Sequence, residues 1–296
     1  MTTRRNFVTG SAALFASGCI PLDASQSVRV ASQFRIIEAA AGGTLGVAIR
    51  NTAIGQITSY NGNALFPHCS SFKMSLAALV LLQDQRGIVS ADERVTWTED
   101  DLMFVSPFTT RRLKDGATLR ELAEFTQKYS DNAAANILLK RFGGPQKLTA
   151  FWRALGDGVS RLDRTEPALN NVPVGEQRDT TSANAMAGTL TAILFGNTLS
   201  QANRDTLKQW MVDTPTGRDR VRKGLPSTWV AGDKTGTSLW PGMGSVYVDI
   251  GFVEPVGHAP LTFAVYYRAR DTHTGMDPAA LNVLAEVGRA LTRIVK

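Results

Sequence analysis

The chain has 296 residues, of which 43% are hydrophobic and 20% are charged. This composition is typical of a soluble globular protein, and it excludes a disordered, a collagen-like or a membrane-embedded chain. Lysine and arginine outnumber the acidic residues by 32 to 26, which gives a net charge of +6 without a basic run. We therefore predict no nucleic-acid partner.

Cysteine and histidine are too few and too scattered for a metal centre. The two cysteines, Cys19 and Cys69, have a spacing that fits neither a redox pair nor a zinc site. The three histidines, His68, His258 and His273, form no zinc-binding pair on one helix. The sequence therefore predicts no metal, no cofactor and no disulfide-based scaffold.

The N-terminus has the pattern of an export signal over residues 1–18. Arg4 and Arg5 precede an apolar stretch that is too short to span a bilayer. Paired arginines in this position are typical of twin-arginine export, so we predict a periplasmic protein. The residues before Cys19 also resemble a lipobox, in which the cysteine is lipidated after cleavage. A lipid anchor at Cys19 and plain cleavage nearby are two open alternatives.

After the signal, the chain begins with predicted strands and continues with predicted helices. Residues 44–50 are rich in strand formers and residues 55–60 follow after a short turn, which predicts a hairpin. Apolar residues then recur at helical spacing through the middle of the chain. The predicted helices span residues 71–82, 119–128, 131–142, 146–155, 182–195 and 201–211.

The C-terminal part of the chain returns to strands. Strand formers dominate residues 227–231, 246–252 and 261–267, and a final helix is predicted from residue 277 towards 294. Residues 161–179 contain two prolines and no clean period, which predicts a long loop. Loops of this length in compact domains are usually functional or disordered.

Strands at both ends of the chain enclose a helical block. This order predicts an α/β (α+β) fold with an antiparallel sheet flanked by helices. We expect residues 31–61 and 213–296 to form the α/β subdomain, and residues 62–212 to form an all-helical subdomain inserted between them. The cleft between the two subdomains is the expected active site.

A serine and a lysine lie three residues apart at the start of the first central helix. Ser70 and Lys73 would face the same side of the helix, within side-chain contact. A serine hydroxyl becomes a nucleophile when a base removes its proton, and a lysine amine can be that base. The alternative is that Ser70 only caps the helix.

Two further motifs follow in the chain. Ser130-Asp131-Asn132 precedes a helix, where it either caps that helix or supplies a hydroxyl for proton transfer and an amide for a substrate. Lys234-Thr235-Gly236-Thr237 continues a predicted strand, where the lysine is either solvated or binds a substrate carboxylate with the two hydroxyls.

The three motifs in this order resemble those of the serine β-lactamase and penicillin-binding protein superfamily. A fourth element, Glu166 followed by Asn170 in the long loop, resembles the one with which class A β-lactamases hold the deacylating water. On its own Glu166 would be read as a solvated loop residue. Its position between the second and third motifs, flanked by Arg164 and Asp179 that could hold the loop ends, favours the functional interpretation.

The resemblance implies a role for each matching residue. Ser70 would attack the β-lactam carbonyl, and Lys73, or Glu166 through a water, would take its proton. The backbone N–H groups of Ser70 and Thr237 would form the oxyanion hole. Ser130 would pass a proton to the leaving ring nitrogen.

Substrate binding is implied for a second set of residues. Asn132 would bind the acylamide side chain, and Asn170 would act with Glu166 on the water. Lys234, Thr235 and Thr237 would hold the substrate carboxylate. Arg220 is similar to an arginine that some class A enzymes place behind the strand of Lys234 to support the charge of the substrate carboxylate. The alternative is that Arg220 is a plain surface arginine.

The chain departs from the family pattern at three places. Cys69 matches a cysteine that carbapenem-hydrolysing relatives pair with a partner at the position of Ser238, so that disulfide is not expected here. Val105 stands where many members carry an aromatic residue at the mouth of the cleft. The segment from residue 238 to 248 is longer than the usual turn, which places Trp240 near the rim.

Together the four motifs predict a class A β-lactamase that hydrolyses penicillins and at least some cephalosporins and confers resistance to these antibiotics. One alternative is a D,D-peptidase, and another is a β-lactam sensor; both would be acylated without turnover. A Ser-His-Asp esterase is disfavoured because no nucleophile elbow occurs in the sequence. A β-lactam is the expected small-molecule partner, and a monomer is the default expectation.

Overall fold

The computed structural model describes residues 24–295, so the predicted export signal and Cys19 lie outside the described residues. Nine α-helices occur in this range: α1 Ala24–Ala41, α2 Phe72–Gln85, α3 Pro107–Arg111, α4 Leu119–Tyr129, α5 Asn132–Arg141, α6 Pro145–Ala154, α7 Ala183–Leu194, α8 Gln201–Asp213 and α9 Pro278–Leu291. The strands of the same range are β1 Thr44–Asn51, β2 Ile57–Tyr60, β3 Leu65–Pro67, β4 Arg94–Val95, β5 Ala117–Thr118, β6 Thr180–Ser182, β7 Val230–Ser238, β8 Val246–Glu254 and β9 Leu261–Arg268.

The main sheet confirms the predicted antiparallel arrangement built from both ends of the chain. Its five strands have the order β2-β1-β9-β8-β7, and every neighbouring pair is antiparallel. The N-terminal strand β1 lies beside β9, with Val47 opposite Val265. This pairing joins the two ends of the chain in one sheet, and the helices between them come from the middle of the chain. Strand β7 lies at an edge of the sheet.

The sheet separates two hydrophobic cores, because successive side chains of a strand point to opposite faces. Val47 and Ile49 of β1 pack with α1 and α9 on one face. Ala48, between them, joins the larger core on the other face, where α2 and α7 are buried. A helical layer thus covers each face of the sheet.

The predicted hairpin, the central helices and the last two strands are confirmed within a few residues at each end. The predicted strand over residues 227–231 has the wrong bounds, because Trp229 N donates to Pro226 O in a turn and β7 begins only at Val230. Helix α1 was not predicted. Between residues 24 and 295, no helix combines the length and apolar character needed to span a bilayer.

Candidate active site

A cleft of about 470 Å³ opens between β7, the turn before α2, the α4–α5 junction and the long loop. Eight of the predicted site residues line it: Ser70, Ser130, Asn132, Glu166, Asn170, Arg220, Thr235 and Thr237. The other two, Lys73 and Lys234, are fully buried and contact lining residues. The structure therefore brings all ten predicted residues together.

Ser70 lies in a single turn of 3-10 helix, Cys69–Ser71, that leads into α2. Its hydroxyl does not cap the helix; Ser71 occupies the N-cap position, without a capping bond from its side chain. Ser70 Oγ instead accepts a hydrogen bond of 2.9 Å from Lys73 Nζ and donates one of 3.3 Å to Glu166 Oε1. The hydroxyl thus contacts both of the candidate bases.

Lys73 is the centre of the polar network. Its ammonium lies 2.9 Å from Glu166 Oε1 and donates to Asn132 Oδ1 at 2.5 Å and to Ser130 O at 2.9 Å. The side chain has no exposed surface. A buried ammonium is stable only when its hydrogen bonds and charge are matched, and these acceptors provide that match.

The turn between α4 and α5 positions Ser130 and Asn132. Ser130 ends α4 in the left-handed conformation, with φ 60°. Asp131 caps α5 by accepting from Ala134 N, so the capping alternative holds for the aspartate. Asn132 Nδ2 donates one hydrogen bond to Phe104 O at 3.0 Å. Because an amide nitrogen carries two hydrogens, one remains for a substrate carbonyl.

Lys234 connects β7 to the same network. Its Nζ donates to Ser130 Oγ at 3.1 Å, so this hydroxyl lies between Lys234 and Lys73, which is 3.4 Å away. Burial, and then the nearby positive charge of Lys73, lower the pKa of Lys234 well below its usual value. The negative charge of a substrate carboxylate bound here would favour the charged form of Lys234.

Gly236 allows β7 to approach the nucleophile turn. A Cβ at this position would lie 2.9 Å from Cys69 Cβ and 3.0 Å from both His68 O and Ser70 N. Those distances are shorter than normal carbon contacts, so a side chain would push the strand away from the turn. The motif therefore needs glycine for the close approach of two backbones.

The long loop, residues 161–179, places Glu166 in the lining of the cleft. Asn170 Nδ2 donates to Glu166 Oε2 at 2.6 Å, which leaves Oε1 directed at Ser70 and Lys73. Asn136 holds the backbone of the same residue, since its amide donates to Glu166 O at 2.9 Å and accepts from Glu166 N at 3.0 Å. Asn136 was missed by the sequence analysis, although it lies one helical turn after Asn132 on α5.

The predicted contact between the loop ends is confirmed. Arg164 Nε donates to Asp179 Oδ2 at 2.5 Å, and the other oxygen of Asp179 accepts from the backbone N–H groups of Asp163 and Arg164. Asp179 has no exposed surface. The loop is therefore closed at its base by a buried carboxylate.

Arg220 lies behind β7 and is only 2% exposed. It donates to Gly236 O at 2.8 Å, to Val248 O at 2.6 Å and to Thr237 Oγ1 at 2.7 Å. The surface-arginine alternative is therefore wrong. Burial lowers the pKa of Arg220, while Asp249 opposes that shift.

The positions that depart from the family pattern also border the site. Cys69 is a free, buried thiol. Ser238 Oγ donates to Asn170 O at 2.8 Å, which joins the end of β7 to the long loop. Val105 is 53% exposed at the cleft, and Trp240 lines the cleft as well.

Comparisons with known proteins agree with this geometry. Residues 29–295 match the model of the "Beta-lactamase enzyme family". The chain is 40% identical over 261 residues to β-lactamase OXY-1 of Klebsiella oxytoca, covering 86% of this chain and 88% of that protein.

Solved structures give the same result. The class A β-lactamase of the last common ancestor of Gram-negative bacteria, GNCA4, superposes with a TM-score of 0.85 at 42% identity, covering 90% of this chain and 99% of that one. The β-lactamase of Streptosporangium roseum superposes with a TM-score of 0.85 at 37% identity, covering 90% and 98% of the two chains. The chain is therefore a member of the class A serine β-lactamases.

Proposed function

We propose that the chain hydrolyses the cyclic amide of penicillins, and of at least some cephalosporins, through an acyl-enzyme on Ser70. The observation that carries this proposal is the position of Ser70 Oγ, which contacts Lys73 Nζ and Glu166 Oε1 at once. A hydroxyl held between an amine and a carboxylate is prepared to lose its proton. Hydrolysis of these antibiotics gives the bacterium resistance to them.

Acylation begins with attack of Ser70 Oγ on the carbonyl carbon of the β-lactam ring. The proton of Ser70 passes to the pair formed by Lys73 and Glu166, whose charged atoms lie 2.9 Å apart. The negative charge that develops on the carbonyl oxygen is stabilised by the backbone N–H groups of Ser70 and Thr237. The close packing of Gly236 on the Ser70 turn brings these two segments together.

Collapse of the tetrahedral intermediate breaks the bond between the carbonyl carbon and the ring nitrogen. Ser130 Oγ donates a proton to that nitrogen, and it is replenished from Lys73, 3.4 Å away. Lys234, 3.1 Å from the same hydroxyl, favours transfer of the proton out of Ser130 because its charge stabilises the oxygen left behind. The product of this step is an ester of Ser70.

Deacylation uses one water molecule, which Glu166 deprotonates for attack on the ester carbonyl. Asn170 fixes the carboxylate by its bond of 2.6 Å to Oε2 and orients the water beside it. The proton then returns to Ser70 Oγ as the ester bond breaks. The released product is the ring-opened acid, and the enzyme is regenerated with all its protons in place.

Substrate binding is divided between the two sides of the cleft. Lys234, Thr235 and Thr237 bind the carboxylate of the substrate, and Arg220 supports this charge through its hydrogen bond to the Thr237 hydroxyl. On the opposite side, Asn132 uses its remaining N–H to bind the acylamide carbonyl. The scissile amide is thereby placed over Ser70.

The two alternatives without turnover, a D,D-peptidase and a sensor, are disfavoured by the same network. Both would be acylated and remain blocked, whereas here a buried carboxylate oriented by Asn170 touches the nucleophile. A carboxylate in that position would activate water against the ester.

Export to the periplasm by the signal over residues 1–18 and a monomeric state are proposed from the sequence. Lipid anchoring at Cys19 and plain cleavage nearby stay as the two alternatives for the processed N-terminus. The division into an α/β subdomain, residues 31–61 and 213–296, and a helical subdomain, residues 62–212, is proposed on the same basis. The order of the sheet supports this division, since β1 pairs with β9 across the whole helical block. Neither a nucleic-acid partner nor a metal is part of the proposal.

The proposal is tested by the hydrolysis of benzylpenicillin, followed by the absorbance of the β-lactam amide. The wild-type protein is expected to turn over the drug, and Ser70→Ala is expected to lose activity by more than about 10³-fold, because the residual rate comes only from binding and the oxyanion hole. Ser227→Ala, at an exposed serine before β7, is the matched control and should behave like the wild type. Equal turnover by Ser70→Ala would refute the proposed nucleophile.

A further inference from the structure

A second cavity, of about 670 Å³, lies between the end of β1, helix α7 and the segment that follows α6. It shares no described lining residue with the active-site cleft, and the proposed hydrolysis uses none of its residues. Its volume lies in the range of cavities that hold small ligands. We call it the α7 cavity and define it by Arg50, Asn63, Asp157, Asn184, Gly188 and Thr191.

Arg50 supplies the positive charge of the α7 cavity. Side chains alternate along β1, and Ala48, two residues before Arg50, packs in the core that contains α7. Arg50 therefore extends from the face of the sheet that α7 covers, and it lines the cavity. Its Nε is buried and has no hydrogen-bond acceptor among the described residues. A buried N–H without an acceptor is unfavourable, and a bound carboxylate would supply the acceptor.

Asp157 is the carboxylate among the described residues that line the cavity, and its hydrogen-bonding capacity is already used. Its Oδ1 accepts from Val159 N at 2.9 Å and from Ser160 N at 2.8 Å. Its Oδ2 accepts from the hydroxyls of Ser160 at 2.5 Å and Thr189 at 2.9 Å. A carboxylate has about four lone-pair positions, and these four donors occupy them. Asp157 therefore gives the cavity a negative charge but no acceptor for Arg50.

Helix α7 presents an unused acceptor and an open surface one turn apart. Asn184 Nδ2 donates to Asn63 Oδ1 at 2.9 Å, whereas Asn184 Oδ1 is buried and accepts no hydrogen bond from the described residues. Gly188 follows four residues later, about 6 Å along the helix axis.

The glycine at position 188 leaves room beside the helix. Apart from the backbone of α7 itself, no described part of the chain would lie within 4 Å of a Cβ at Gly188. Glycine is less favourable than alanine inside a helix, and no packing contact requires it at this position. The open surface at Gly188 therefore allows a ligand to approach the helix closely.

We infer that the α7 cavity binds a dipeptide with free termini. The carboxylate of the dipeptide binds the Arg50 guanidinium, and its ammonium donates to Asn184 Oδ1. A molecule with both charges suits a cavity whose described lining carries one cation and one anion. Two extended residues span about 7 Å, so the peptide crosses the open surface at Gly188 between these two partners.

The rest of the cavity lining is suited to an apolar side chain. Leu155, Val159 and Phe195 line the same cavity. An aliphatic side chain of the dipeptide would bury apolar area against them. The inference goes beyond the proposed hydrolysis and does not depend on it.

The test follows the amide signals of the isotopically labelled protein by NMR while L-alanyl-L-leucine is added. The signals of Asn184 and Gly188 are expected to shift in a saturable manner, with a Kd of about 1 mM or lower. The N-acetylated dipeptide and the dipeptide amide each lack one charge. Both should bind at least about fivefold more weakly than the dipeptide with free termini.

Two variants test the assigned contacts independently. Arg50→Gln removes the cation, and Gly188→Leu fills the open surface; each should raise the Kd by about tenfold or more. Arg86→Gln, at an exposed arginine directly after α2, is the control and should keep the wild-type Kd. Thermal melting of each variant shows whether it is folded, and benzylpenicillin hydrolysis should be unchanged in all three.

Three results would each overturn the inference. The first is the absence of saturable shifts at Asn184 and Gly188 up to about 20 mM dipeptide. The second is equal binding of the free and the capped dipeptides. The third is a wild-type Kd in folded Arg50→Gln or, if that variant does not fold, in Gly188→Leu. Loss of β-lactam hydrolysis by the wild type concerns the proposed function alone, so the two failures are distinguishable.

Discussion

The Lys73 ammonium lies 2.9 Å from the Glu166 carboxylate, and their side chains are 0% and 1% exposed. Each charge compensates the other at a place where neither side chain has appreciable exposed surface, so removing either one leaves an unpaired buried charge. The pair also encloses Ser70 Oγ, which lies 2.9 Å from the amine and 3.3 Å from the carboxylate. The stability of the protein is therefore expected to depend on this pair, and acylation on the Lys73 amine that contacts Ser70 Oγ.

Replacing Lys73 with Met should slow acylation by about 10²–10⁴-fold, which is the usual contribution of a positioned proton acceptor. The melting temperature should also fall, because Glu166 would be left buried without its cation. The rate of acyl-enzyme formation, followed by rapid quenching and mass spectrometry, gives the first effect. Lys147→Met, at an exposed lysine of α6, is the control. Unchanged acylation in Lys73→Met would contradict the role of the pair.

Asp179→Asn should loosen the long loop and slow deacylation. Asn keeps an acceptor for the two backbone N–H groups but loses the charge that pairs with Arg164. Loss of a buried ion pair costs about 3 kcal/mol, so amide exchange over residues 163–179 should accelerate by about 100-fold. Glu176→Gln, which changes an ion pair at the loop surface, should leave exchange at the loop base unchanged. Wild-type exchange in Asp179→Asn would show that the contact is incidental.

His68 should make the protein less stable in acid. Its ring is fully buried and stacks on Trp152 with the centroids 4.7 Å apart. Burial lowers the pKa of His68 to about 4, below the unfolded value of about 6.5. Unfolding therefore takes up a proton between these values, and stability is lost as the pH falls through that window. The loss between pH 7 and pH 5 should be about 2 kcal/mol from this residue.

His68→Phe keeps the stacked ring and removes the titration. Urea unfolding at pH 7 and pH 5 should therefore give a smaller decrease in the free energy of unfolding for His68→Phe than for the wild type. His258→Gln, at an exposed histidine, should retain the wild-type decrease. If His68→Phe and the wild type lose the same free energy, the buried histidine does not titrate as described.

Asp249→Asn should stabilise the protein at neutral pH. Burial, and then the charge of nearby Asp233, raise the pKa of Asp249 well above its usual value. The folded state thus holds a proton that the unfolded state releases, so the wild type loses stability as the pH rises from about 4. The variant should gain about 1 kcal/mol, or a few degrees in melting temperature, at pH 8 and less at pH 5. A variant less stable than the wild type at pH 8 would contradict this.

The sequence predicted those parts of the fold whose pattern is local. Helix α4 begins with a Thr118 cap and Glu121 three residues later, and both capping bonds are present. The hairpin of β1 and β2 was likewise visible in its strand formers. Helix α1 escaped prediction because only Val30, Phe34 and a few neighbours mark its buried face among polar residues.

The elements that depend on distant pairing could not be read from the sequence. Strands β3 and β6 have three residues each and exist because Phe66 lies opposite Thr181. That pairing, together with the bond from His68 N to Asp179 O, sets the loop beside the nucleophile turn. No local pattern in either segment indicates it.

The sequence predicted which residues form the site. It did not predict most of the contacts between their side chains. Motif spacing indicated that Ser70 and Lys73 meet, since they lie on one helical turn. It did not indicate that Ser130 Oγ lies between two lysines, or that Asn136 clamps the backbone of Glu166 from both sides. These contacts join separate elements, so they appear only when the fold brings the elements together.

The most direct test of the mechanism is the time course of intact mass after benzylpenicillin is added to the wild-type protein and to Glu166→Gln. The wild type should show at most a transient adduct while product accumulates. Glu166→Gln should gain the full mass of one benzylpenicillin on Ser70 and keep it, because acylation proceeds and deacylation lacks its base. A variant that releases product at the wild-type rate without a lasting adduct would contradict the role assigned to Glu166.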